Sequence, residues 1–343
     1  MVRYLIISLL LYAHFIRIDG QSRGNIRIMF YNTENLFDTE DDPATLDDDF
    51  TPTGIMHWTQ AKYHTKILNV YKVIAGVGGW QPPEIIGLAE VENRLVLNDL
   101  LTKTPLSKFN YQIVHFESPD PRGIDVALLF RFDKIKLLQQ EPIFINFRDN
   151  PNRKTRNILL AKFLCEGHDT LWMFVNHWPS RRGGEIESED LRFEAANTLR
   201  QRIDLIHKSH PAAKIIAMGD FNDEPSDLSL VNHLKAHPPA SPFAAKQLYN
   251  LSFNLLKTSK TGSHYFSGHW SVLDQMIVSG NLLSNKHGLF TKPDDAHIFS
   301  ADFILQTDKK NLGVKPLPTY SGRKYIGGFS DHLPVYLDLY LKN

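Results

Sequence analysis

Short apolar runs that end in acid, amide or imidazole side chains recur along this chain, and they predict most of its strands. The run at residues 214–217 is typical of a buried strand, and the segment Gly219-Asp220-Phe221-Asn222 follows it closely. Side chains two residues apart along a strand point the same way, so Asp220 and Asn222 would place a carboxylate beside a carboxamide. A plain strand-to-loop turn is the alternative, because Gly, Asp and Asn are common turn residues.

The same pattern predicts further strands elsewhere in the chain. They cover residues 25–32, 83–93, 111–116, 124–131, 157–164, 170–177, 268–278 and 335–341. The polar residues that mark six strand ends are Asn32, Glu90, Asn176 with His177, Asp220 with Asn222, Asp274, and Asp331 with His332. Glu92 lies on the same face as Glu90 and competes with it as the functional acid of its strand.

Two segments have apolar residues at helical spacing instead. The first covers residues 59–77, and Gly78 and Gly79 stop it. The second covers residues 188–207, where Ser188 is a candidate N-cap and acids follow at the positive end of the helix. Both segments are therefore predicted to be amphipathic helices that cover a sheet.

The composition is that of an ordinary globular protein of 343 residues, with 42% hydrophobic and 22% charged side chains. The 38 basic and 38 acidic residues give a net charge of zero, which excludes the overall basic field of many tight nucleic-acid binders. Any polyanion would have to be bound by a local patch. Cys165 is the one cysteine, so no disulfide forms within the chain, and its apolar surroundings predict a buried thiol.

Residues 1–20 have the pattern of a secretory signal peptide. Arg3 gives a positive start, and the apolar stretch at 4–16 is short for a membrane span. We therefore expect export to the periplasm or the extracellular space, with a mature chain that begins near Gln21 and has no integral membrane span. A retained membrane anchor is the alternative.

Three charged stretches can be explained either as structural or solvated surface features or as parts of a binding site. Residues 38–49 hold seven acids, most simply a solvated loop, and their spacing does not match an EF-hand calcium loop. Asp125 stands within an apolar run and needs a partner if buried, for which Arg122 is nearest in sequence. The basic cluster at 153–156 is either a solvated surface or, through Arg156, a phosphate contact.

The strand-end residues favour the chemistry of a hard cation. Carboxylate and amide oxygens suit Mg²⁺, with Mn²⁺ or Ca²⁺ as alternatives, and histidines can transfer protons near neutral pH. The sequence contains no glycine-rich phosphate loop, no cysteine-based zinc pattern and no HExxH helix. These observations point to metal-assisted hydrolysis at a phosphorus centre.

The ordered set of Asn32, Glu90, His177, the GDFN segment at 219–222, Asp274 and the SDH segment at 330–332 resembles the endonuclease/exonuclease/phosphatase superfamily, which includes deoxyribonuclease-I-like enzymes. The resemblance runs from about residue 26 to residue 341. It implies an α/β fold of four layers, α/β/β/α, in which two mostly antiparallel mixed sheets pack face to face with helices outside. It also implies a single catalytic domain over residues 25–343.

The resemblance implies a role for each matching residue. Glu90 would bind the cation, with Asn32 beside it and Asp331 sharing it. Asp220 would position or deprotonate the attacking water, and Asn222 would hold a phosphate oxygen. The remaining catalytic residues would be His332, oriented by Asp274 to polarise the phosphate or act as base, and His177, in the acid position of deoxyribonuclease-like members. Which histidine gives a proton and which takes one stays open.

Four residues are candidate contacts to substrate phosphates. They are Arg122, Arg156, Asn176 and Arg181, and Arg182 extends the last of these into a possible oxyanion clamp. The leading interpretation is a monomeric, exported, metal-dependent phosphodiesterase, foremost a nuclease that acts on nucleic acid. A hydrolase of phospholipids, as in sphingomyelinases, or of phosphorylated sugars or inositol phosphates is the second interpretation. A binding module with an inactive site is the third.

Overall fold

The computed structural model describes residues 26–165, 169–181, 183–258, 261–284 and 287–342. The predicted signal peptide at 1–20 and the predicted role of Arg182 lie outside the described residues. The strands are β1 Ile26–Leu36, β2 Ile85–Val91, β3 Tyr111–His115, β4 Asp125–Arg131, β5 Lys136–Ile143, β6 Ile158–Leu164, β7 Thr170–His177, β8 Lys214–Asp220, β9 Ala236–His237, β10 Leu248–Asn250, β11 His264–Phe266, β12 His269–Ser271, β13 Asp274–Ser279, β14 Gly288–Phe290, β15 His297–Ile298, β16 Leu305–Thr307, β17 Val314–Pro316, β18 Tyr320–Ser321, β19 Lys324–Tyr325 and β20 Val335–Lys342.

Helices connect and cover these strands. The α-helices are α1 Gln60–Gly78, α2 Arg94–Thr102, α3 Glu189–Ser209, α4 Leu255–Thr258 and α5 Gly280–Leu283. Short 3₁₀ segments are Asp48–Phe50, Pro105–Lys108, Leu251–Asn254 and Asp302–Ile304, and Ser229–His233 forms a π-turn. Among the described helices, none has the length and apolar character that a bilayer crossing requires.

The fold is built on two large sheets of seven strands each. Sheet A has the order β14-β20-β1-β2-β4-β3, with β15 also paired to β20, and sheet B has the order β5-β6-β7-β8-β13-β10-β9. The pairs β1–β2, β7–β8 and β9–β10 are parallel, and the other pairs within the two sheets are antiparallel. The predicted mixed, mostly antiparallel character of both sheets is confirmed.

Three apolar clusters separate four layers. One cluster fills the space between the two sheets and includes Ile28 of β1 and Met173 of β7. A second lies between sheet A and helices α1 and α2, and a third lies between sheet B and helix α3. Strand alternation builds this arrangement, because successive residues of each central strand enter different clusters. The predicted α/β/β/α sandwich with outer helices is confirmed.

The predicted elements differ from the observed ones in a few places. Strand β7 and helix α1 match closely, whereas the strand predicted at 268–278 is divided into β12 and β13. Helix α2 and strand β5 were not predicted. Ser188 precedes α3 as expected, but its hydroxyl donates to the Gly184 carbonyl and does not cap the helix.

Candidate active site

The inter-sheet face of several strands changes from apolar to polar at one edge of the sandwich. Along β1 the row Ile28 and Phe30 continues with Asn32, and along β8 the row Ile216 and Met218 continues with Asp220. Because side chains alternate along a strand, these polar residues inherit the direction of the apolar row before them. The same argument applies to His177 at the end of β7 and Asp274 at the start of β13. We call Asn32, Glu90, His177, Asp220, Asp274 and His332 the inner rim.

Asp220 lies at the centre of the inner rim. In the sheet it pairs in register with His177 of β7 on one side and with Asp274 of β13 on the other. Its Oδ2 accepts a hydrogen bond of 3.1 Å from Asn32 Nδ2, so the rims of both sheets are joined there. The Nε2 atoms of His177 and His332 lie 3.7 Å and 3.8 Å from the same Oδ2. The predicted convergence of these side chains is therefore present.

His332 and Asp274 form a buried pair. His332 Nδ1 lies 2.8 Å from Asp274 Oδ2, which leaves Nε2 directed to Asp220. The backbone N–H of His332 donates to Ser330 Oγ, whose hydroxyl in turn donates to the Asn32 carbonyl. These contacts fix the imidazole relative to both sheets.

Glu90 reaches the inner rim through a break in the regular strand. The β1–β2 and β2–β4 registers both shift next to it, and its φ is +58°, a value that residues other than glycine seldom adopt. Its Oε2 accepts from the Asn35 N–H at 2.9 Å, while Oε1 lies 3.9 Å from His177 Nε2. Glu92, its rival from the sequence, instead accepts from the Asp38 N–H.

Backbone conformations of positive φ gather at this edge. Glu34, Asn35, Glu90 and Asn222 all have φ between 53° and 58°. Such conformations cost free energy and persist where the surrounding structure holds them, which is common at functional sites. Gly219 is also required by its surroundings, since a Cβ there would lie 2.3 Å from the Asn176 carbonyl oxygen.

The loop after β8 is tied to the end of β7. Asn222 donates its backbone N–H to Asp220 Oδ1 and its amide N–H to the Trp178 carbonyl, both at 3.0 Å. Arg156 donates to the same carbonyl at 2.6 Å and to Asp120 Oδ2 at 3.0 Å. Asn222 therefore sits beside Asp220 as the sequence predicted, with Arg156 behind it.

The inner rim shifts the pKa values of its two histidines in opposite directions. Burial lowers the pKa of His332, but the carboxylates of Asp274 and Asp220 outweigh it and hold that pKa well above its usual value. Burial, followed by the charges of Arg156 and Arg122, holds the pKa of His177 well below its usual value. Opposed shifts in one site are a mark of assigned acid and base roles.

The pKa of Asp220 responds to the same surroundings. Burial raises this pKa to about 6, while His332 opposes the shift and Asp274 adds to it. With a pKa of about 6, Asp220 changes protonation just below neutral pH and is mostly ionised above it. A proton acceptor with a pKa close to the working pH is effective in general base catalysis.

Sequence reasoning missed a buried lysine next to the site. Lys66 of α1 is fully buried, donates to the Phe329 carbonyl at 2.7 Å, and feels the charges of Glu34, Asp331 and Glu90. Burial, followed by repulsion from Asp331, raises the pKa of Glu34 to about 7. Lys66 lies on the buried face of α1 beside Ile67 and Val70, and a lysine in such a stripe was a usable signal.

His264 was also missed. It forms an isolated β-bridge with His332, and the two ring centroids are 4.5 Å apart. Burial and the nearby His332 lower the pKa of His264 to about 4. His264, Asp331 and His332 each offer a ligand atom within 4.8 Å of the others, as do Asp220, Asp274 and His332. The turn-rich segment before β11 gave no sequence signal for this contact.

The four predicted phosphate contacts occupy different positions. Arg156 is buried, and Arg122 is partly exposed beside Asp120. Asn176 is fully buried, and its amide bonds Trp178 Nε1 and the Met218 carbonyl.

Arg181 has several partners of its own. Its guanidinium donates to the Asn222 carbonyl and to carboxylates of Glu185, Asp223 and Asp227. These bonds tie down the loop after β8, and a phosphate contact by Arg181 or Asn176 stays a prediction.

The expected partner of Asp125 was wrong. Asp125 is buried as predicted, but its carboxylate bonds His115 Nε2 at 3.0 Å and the Ser118 N–H at 2.8 Å. Arg122 turns instead to Asp120, at 3.6 Å. The turn at 118–123 brings Ser118 back over Asp125, a contact that adjacency in the sequence could not show.

Oxygen donors of the inner rim, together with Asp331 beside His332, fit a hard divalent cation. Glu90 Oε1, Asn32 Oδ1 and the Asp331 carboxylate are oxygens, which Mg²⁺, Mn²⁺ and Ca²⁺ prefer. Lys66 is the basic side chain whose charge couples to both Glu90 and Asp331, and it is fully buried behind them. At the same edge, two sets of side chains, His264 with Asp331 and His332 and Asp220 with Asp274 and His332, each have ligand atoms close enough together to hold a metal ion.

Comparison with known proteins agrees with this geometry. A family model described as "Endonuclease/Exonuclease/phosphatase family" matches residues 27–341. No curated protein sequence matches the chain. The human Nocturnin catalytic domain with bound sulfate shares the fold, with a TM-score of 0.54 at 18% identity, and the alignment covers 92% of this chain and 94% of that one.

Two further solved structures are similar over the same length. Danio rerio TDP2 complexed with a single-strand DNA product has a TM-score of 0.55 at 16% identity, covering 92% of this chain and 98% of that one. A Bacteroides thetaiotaomicron mannosyl-6-phosphatase has a TM-score of 0.56 at 15% identity, covering 92% and 99%. At these identities the structures establish a shared fold, and the family match spans nearly the whole described chain. The chain belongs to the endonuclease/exonuclease/phosphatase family and is a phosphoric ester hydrolase.

Proposed function

We propose that this protein is an exported, Mg²⁺-dependent phosphodiesterase that hydrolyses nucleic acid by attack of an activated water. The observation that carries the proposal is the arrangement around Asp220, which has a histidine nitrogen within 3.8 Å on each side and the amide of Asn32 in contact. One carboxylate therefore lies between two histidines and is also held by an amide from the other sheet.

The residues of the inner rim divide the work. Asp220 would accept a proton from the attacking water, since its carboxylate is held by the Asn222 N–H and the Asn32 amide. Asn222 would contact a phosphate oxygen with its remaining amide hydrogen. Neither Asp220 nor Asn222 would have to move from its position in the structure to take this role.

The two histidines would act differently. His332, with its pKa raised by Asp274 and Asp220, would carry a proton and stabilise charge that develops on a phosphoryl oxygen. His177, with its pKa lowered by burial and by Arg156, would be neutral and would donate a hydrogen bond from Nε2 toward the leaving oxygen. This division favours His332 over His177 as the proton-carrying group.

Glu90, Asn32 and Asp331 would hold the cation. When bound, a divalent ion neutralises phosphate oxygens and lowers the pKa of coordinated water. The two backbone groups that fix these donors are the Asn35 N–H, bonded to Glu90, and the Glu34 N–H, bonded to Asn32 Oδ1 at 3.0 Å. Magnesium is preferred in the proposal because it is bound through one or two carboxylates together with substrate phosphates.

Nucleic acid is the proposed substrate because basic side chains gather next to the inner rim although the whole chain is neutral. Among proteins of the same fold, the TDP2 structure contains a single-strand DNA product.

A phosphorylated sugar is the second candidate. A groove that includes Asp331 is also lined by Tyr265, the exposed Phe266, Asp308 and Asn311, and an aromatic face beside polar groups suits a sugar. The structurally similar mannosyl-6-phosphatase is named for such a substrate.

The proposal extends to the whole chain. We infer one catalytic domain over residues 25–343 that acts as a monomer, after removal of a signal peptide at 1–20. The apolar character of residues 4–16 after Arg3 supports export. Sequencing the N-terminus of the secreted protein should give a start near Gln21, and an intact Met1 in a cytoplasmic fraction would contradict export.

An activity panel tests the function. Purified protein should hydrolyse single-stranded DNA, RNA and bis-p-nitrophenyl phosphate with Mg²⁺, and EDTA should abolish the reaction. Sphingomyelin, phosphoinositides and mannose 6-phosphate serve as competing substrates in the same buffers. The His332→Ala protein, purified in parallel, controls for contaminating nucleases. Failure to cleave any phosphodiester with Mg²⁺, Mn²⁺ or Ca²⁺ would end the proposal.

A further inference from the structure

A second polar cleft lies beside the inner rim, on the β6 side of His177. It is formed by the turn at 120–122, the segment at 150–156 that leads into β6, and residues 179–180 after β7. Its charged side chains are Arg122, Arg153, Lys154 and Arg156 against one acid, Asp120. We call this the basic cleft. In a chain whose net charge is zero, it is a marked local excess of positive charge.

The order of strands places the basic cleft at a defined distance from the catalytic centre. Strand β6 is next to β7 and β7 is next to β8, so two strand spacings separate the start of β6 from Asp220. At about 4.8 Å for each spacing, that is about 10 Å. Asp274, His332 and His264 lie on the other side of Asp220, toward β13. The cleft is therefore a neighbour of the reacting centre and not part of it.

Arg156 connects the cleft to the inner rim. Arg156 is only about 5% exposed, and its guanidinium donates to the Trp178 carbonyl, which also accepts from Asn222. After burial, the charges of Arg156 and Arg122 are the next causes that lower the pKa of His177, so the positive potential of the cleft reaches that histidine. An anion in the cleft would thus be electrostatically coupled to the centre.

The floor of the cleft has polar atoms that protein groups do not use. Among the described residues, neither Thr155 Oγ1 nor Arg156 Nε has a hydrogen-bond partner, although the two residues are 6% and 5% exposed. Buried donors without partners are uncommon and call for an explanation. Both belong to residues that line the cleft, and both can donate to an anionic oxygen.

We propose that the basic cleft binds a second phosphate of the same substrate, on the neighbouring nucleotide of an oligonucleotide chain. This inference rests on the proposed phosphodiesterase function and adds a second phosphate subsite, which is filled only by a substrate with phosphates on both sides of a nucleoside. Arg153 and Lys154 supply exposed charge at the mouth, while Arg156 and Thr155 supply donors at the floor. A substrate with a single phosphate leaves the cleft unfilled.

Two dinucleotides with the same scissile linkage, with and without a terminal phosphate, provide the test. The wild-type enzyme should favour the phosphorylated one by about 10-fold or more in kcat/KM, because the charged donors of the cleft would bind the added phosphate. The double variant Arg153→Ala/Lys154→Ala should reduce this preference to about 3-fold or less, mainly through KM. A matched double variant, Lys134→Ala/Lys136→Ala, removes two exposed charges elsewhere and should keep the preference.

Binding in EDTA separates this inference from the proposed function. By calorimetry, the terminal phosphate should strengthen dinucleotide binding to the wild-type protein about 10-fold, and the Arg153→Ala/Lys154→Ala protein should lose that gain. If the gain appears but neither dinucleotide is ever cleaved, the proposed function is wrong and the anion site stands. Equal binding of both dinucleotides by the wild-type protein, or an equal loss in the Lys134→Ala/Lys136→Ala control, would overturn the cleft assignment.

Discussion

At one edge of the sandwich, buried acids and histidines lie on both faces of sheet A. The set between the two sheets and the set on the helix side have different contacts. The inner rim faces the space between the sheets. On the helix side, Asp125 contacts His115 and Ser118, and Glu92 separately accepts from Asp38; we call these two sets together the outer rim. Each contains a close histidine–aspartate pair, at 2.8 Å for His332–Asp274 and 3.0 Å for His115–Asp125.

The two rims differ in whether their buried polar atoms have hydrogen-bond partners. In the outer rim both oxygens of Asp125 are bonded, one to His115 and one to Ser118. In the inner rim, Asp274 Oδ1 and His177 Nδ1 have no hydrogen-bond partner within the described part of the chain. A closed pair of this kind holds a loop, whereas open polar atoms at a strained edge mark a place for chemistry. Substitutions in the two rims should therefore affect different properties.

The largest effect is expected for the inner rim. Asp220→Ala, His177→Ala or His332→Ala should each lower kcat on bis-p-nitrophenyl phosphate by about 10²- to 10⁴-fold, the usual scale for loss of an acid–base group. Steady-state kinetics with Mg²⁺ at neutral pH measures it. Circular dichroism and thermal unfolding of each variant should show that the fold is retained. Near-normal rates in any two of the three would remove the division between the rims.

For the outer rim we expect a loss of stability instead. Asp125→Ala leaves His115 and Ser118 without their buried partner, which should lower the free energy of unfolding by about 2–3 kcal/mol. Urea unfolding followed by fluorescence measures it. The kcat on bis-p-nitrophenyl phosphate, per folded molecule, should fall far less than in His332→Ala. Comparable losses of rate in the two variants would mean that the outer rim also takes part in the chemistry.

The sequence predicted those parts of the molecule in which one strong pattern decides the outcome. Strand β7 is a continuous apolar run that ends in Asn176 and His177, and it was predicted without error at either end. Helix α1 has a continuous apolar stripe and ends at the predicted double glycine, with Gly78 as its last residue and Gly79 as its C-cap. Every second side chain of a strand points into the space between the sheets, up to the end of the strand. The polar residues at those ends could therefore also be expected to lie close together.

The failures follow from contacts that no local pattern encodes. Strand β5 is a mostly exposed edge strand that contains Pro142, so it lacks the apolar run of a buried strand. The strand predicted at 83–93 extends too far, because Asn93 lies beyond β2, where its Oδ1 accepts the Val96 N–H and caps α2. That capping signal was available in the sequence. The sequence could not show whether Glu90 or Glu92 reaches the inner rim, because that depends on the bulge formed where β2 pairs with β1.

A smaller effect should separate these two glutamates as cation ligands. Glu90 lies in the inner rim next to His177, whereas Glu92 accepts from the backbone of Asp38 in the outer rim. Glu90→Gln should weaken Mg²⁺ or Mn²⁺ binding by about 10-fold, the scale reported for disturbed metal-site groups. Calorimetric titration of the folded, metal-free protein measures this without reference to activity. Glu92→Gln is the matched control and should stay within about 3-fold of wild type; the reverse ranking would place the cation in the outer rim.

The smallest expected effect concerns pH and stability. Burial raises the pKa of Glu92 from 4.5 to about 8, and the charges of Asp38 and Asp47 add to the shift. Between these two pKa values the folded state holds a proton that the unfolded state has lost, so this residue makes stability fall as pH rises from about 4.5 to about 8. The glutamine of Glu92→Gln does not titrate, so the variant does not lose this stability as pH rises. We therefore expect the free energy of unfolding of the variant, minus that of wild type, to increase by about 1 kcal/mol or more between pH 4.5 and pH 8.5, since one pKa unit corresponds to about 1.4 kcal/mol. Urea unfolding of both proteins in EDTA at the two pH values measures this difference. Parallel stability curves would show that Glu92 is ionised in the folded protein, and the outer rim would then carry an uncompensated charge like the open groups of the inner rim.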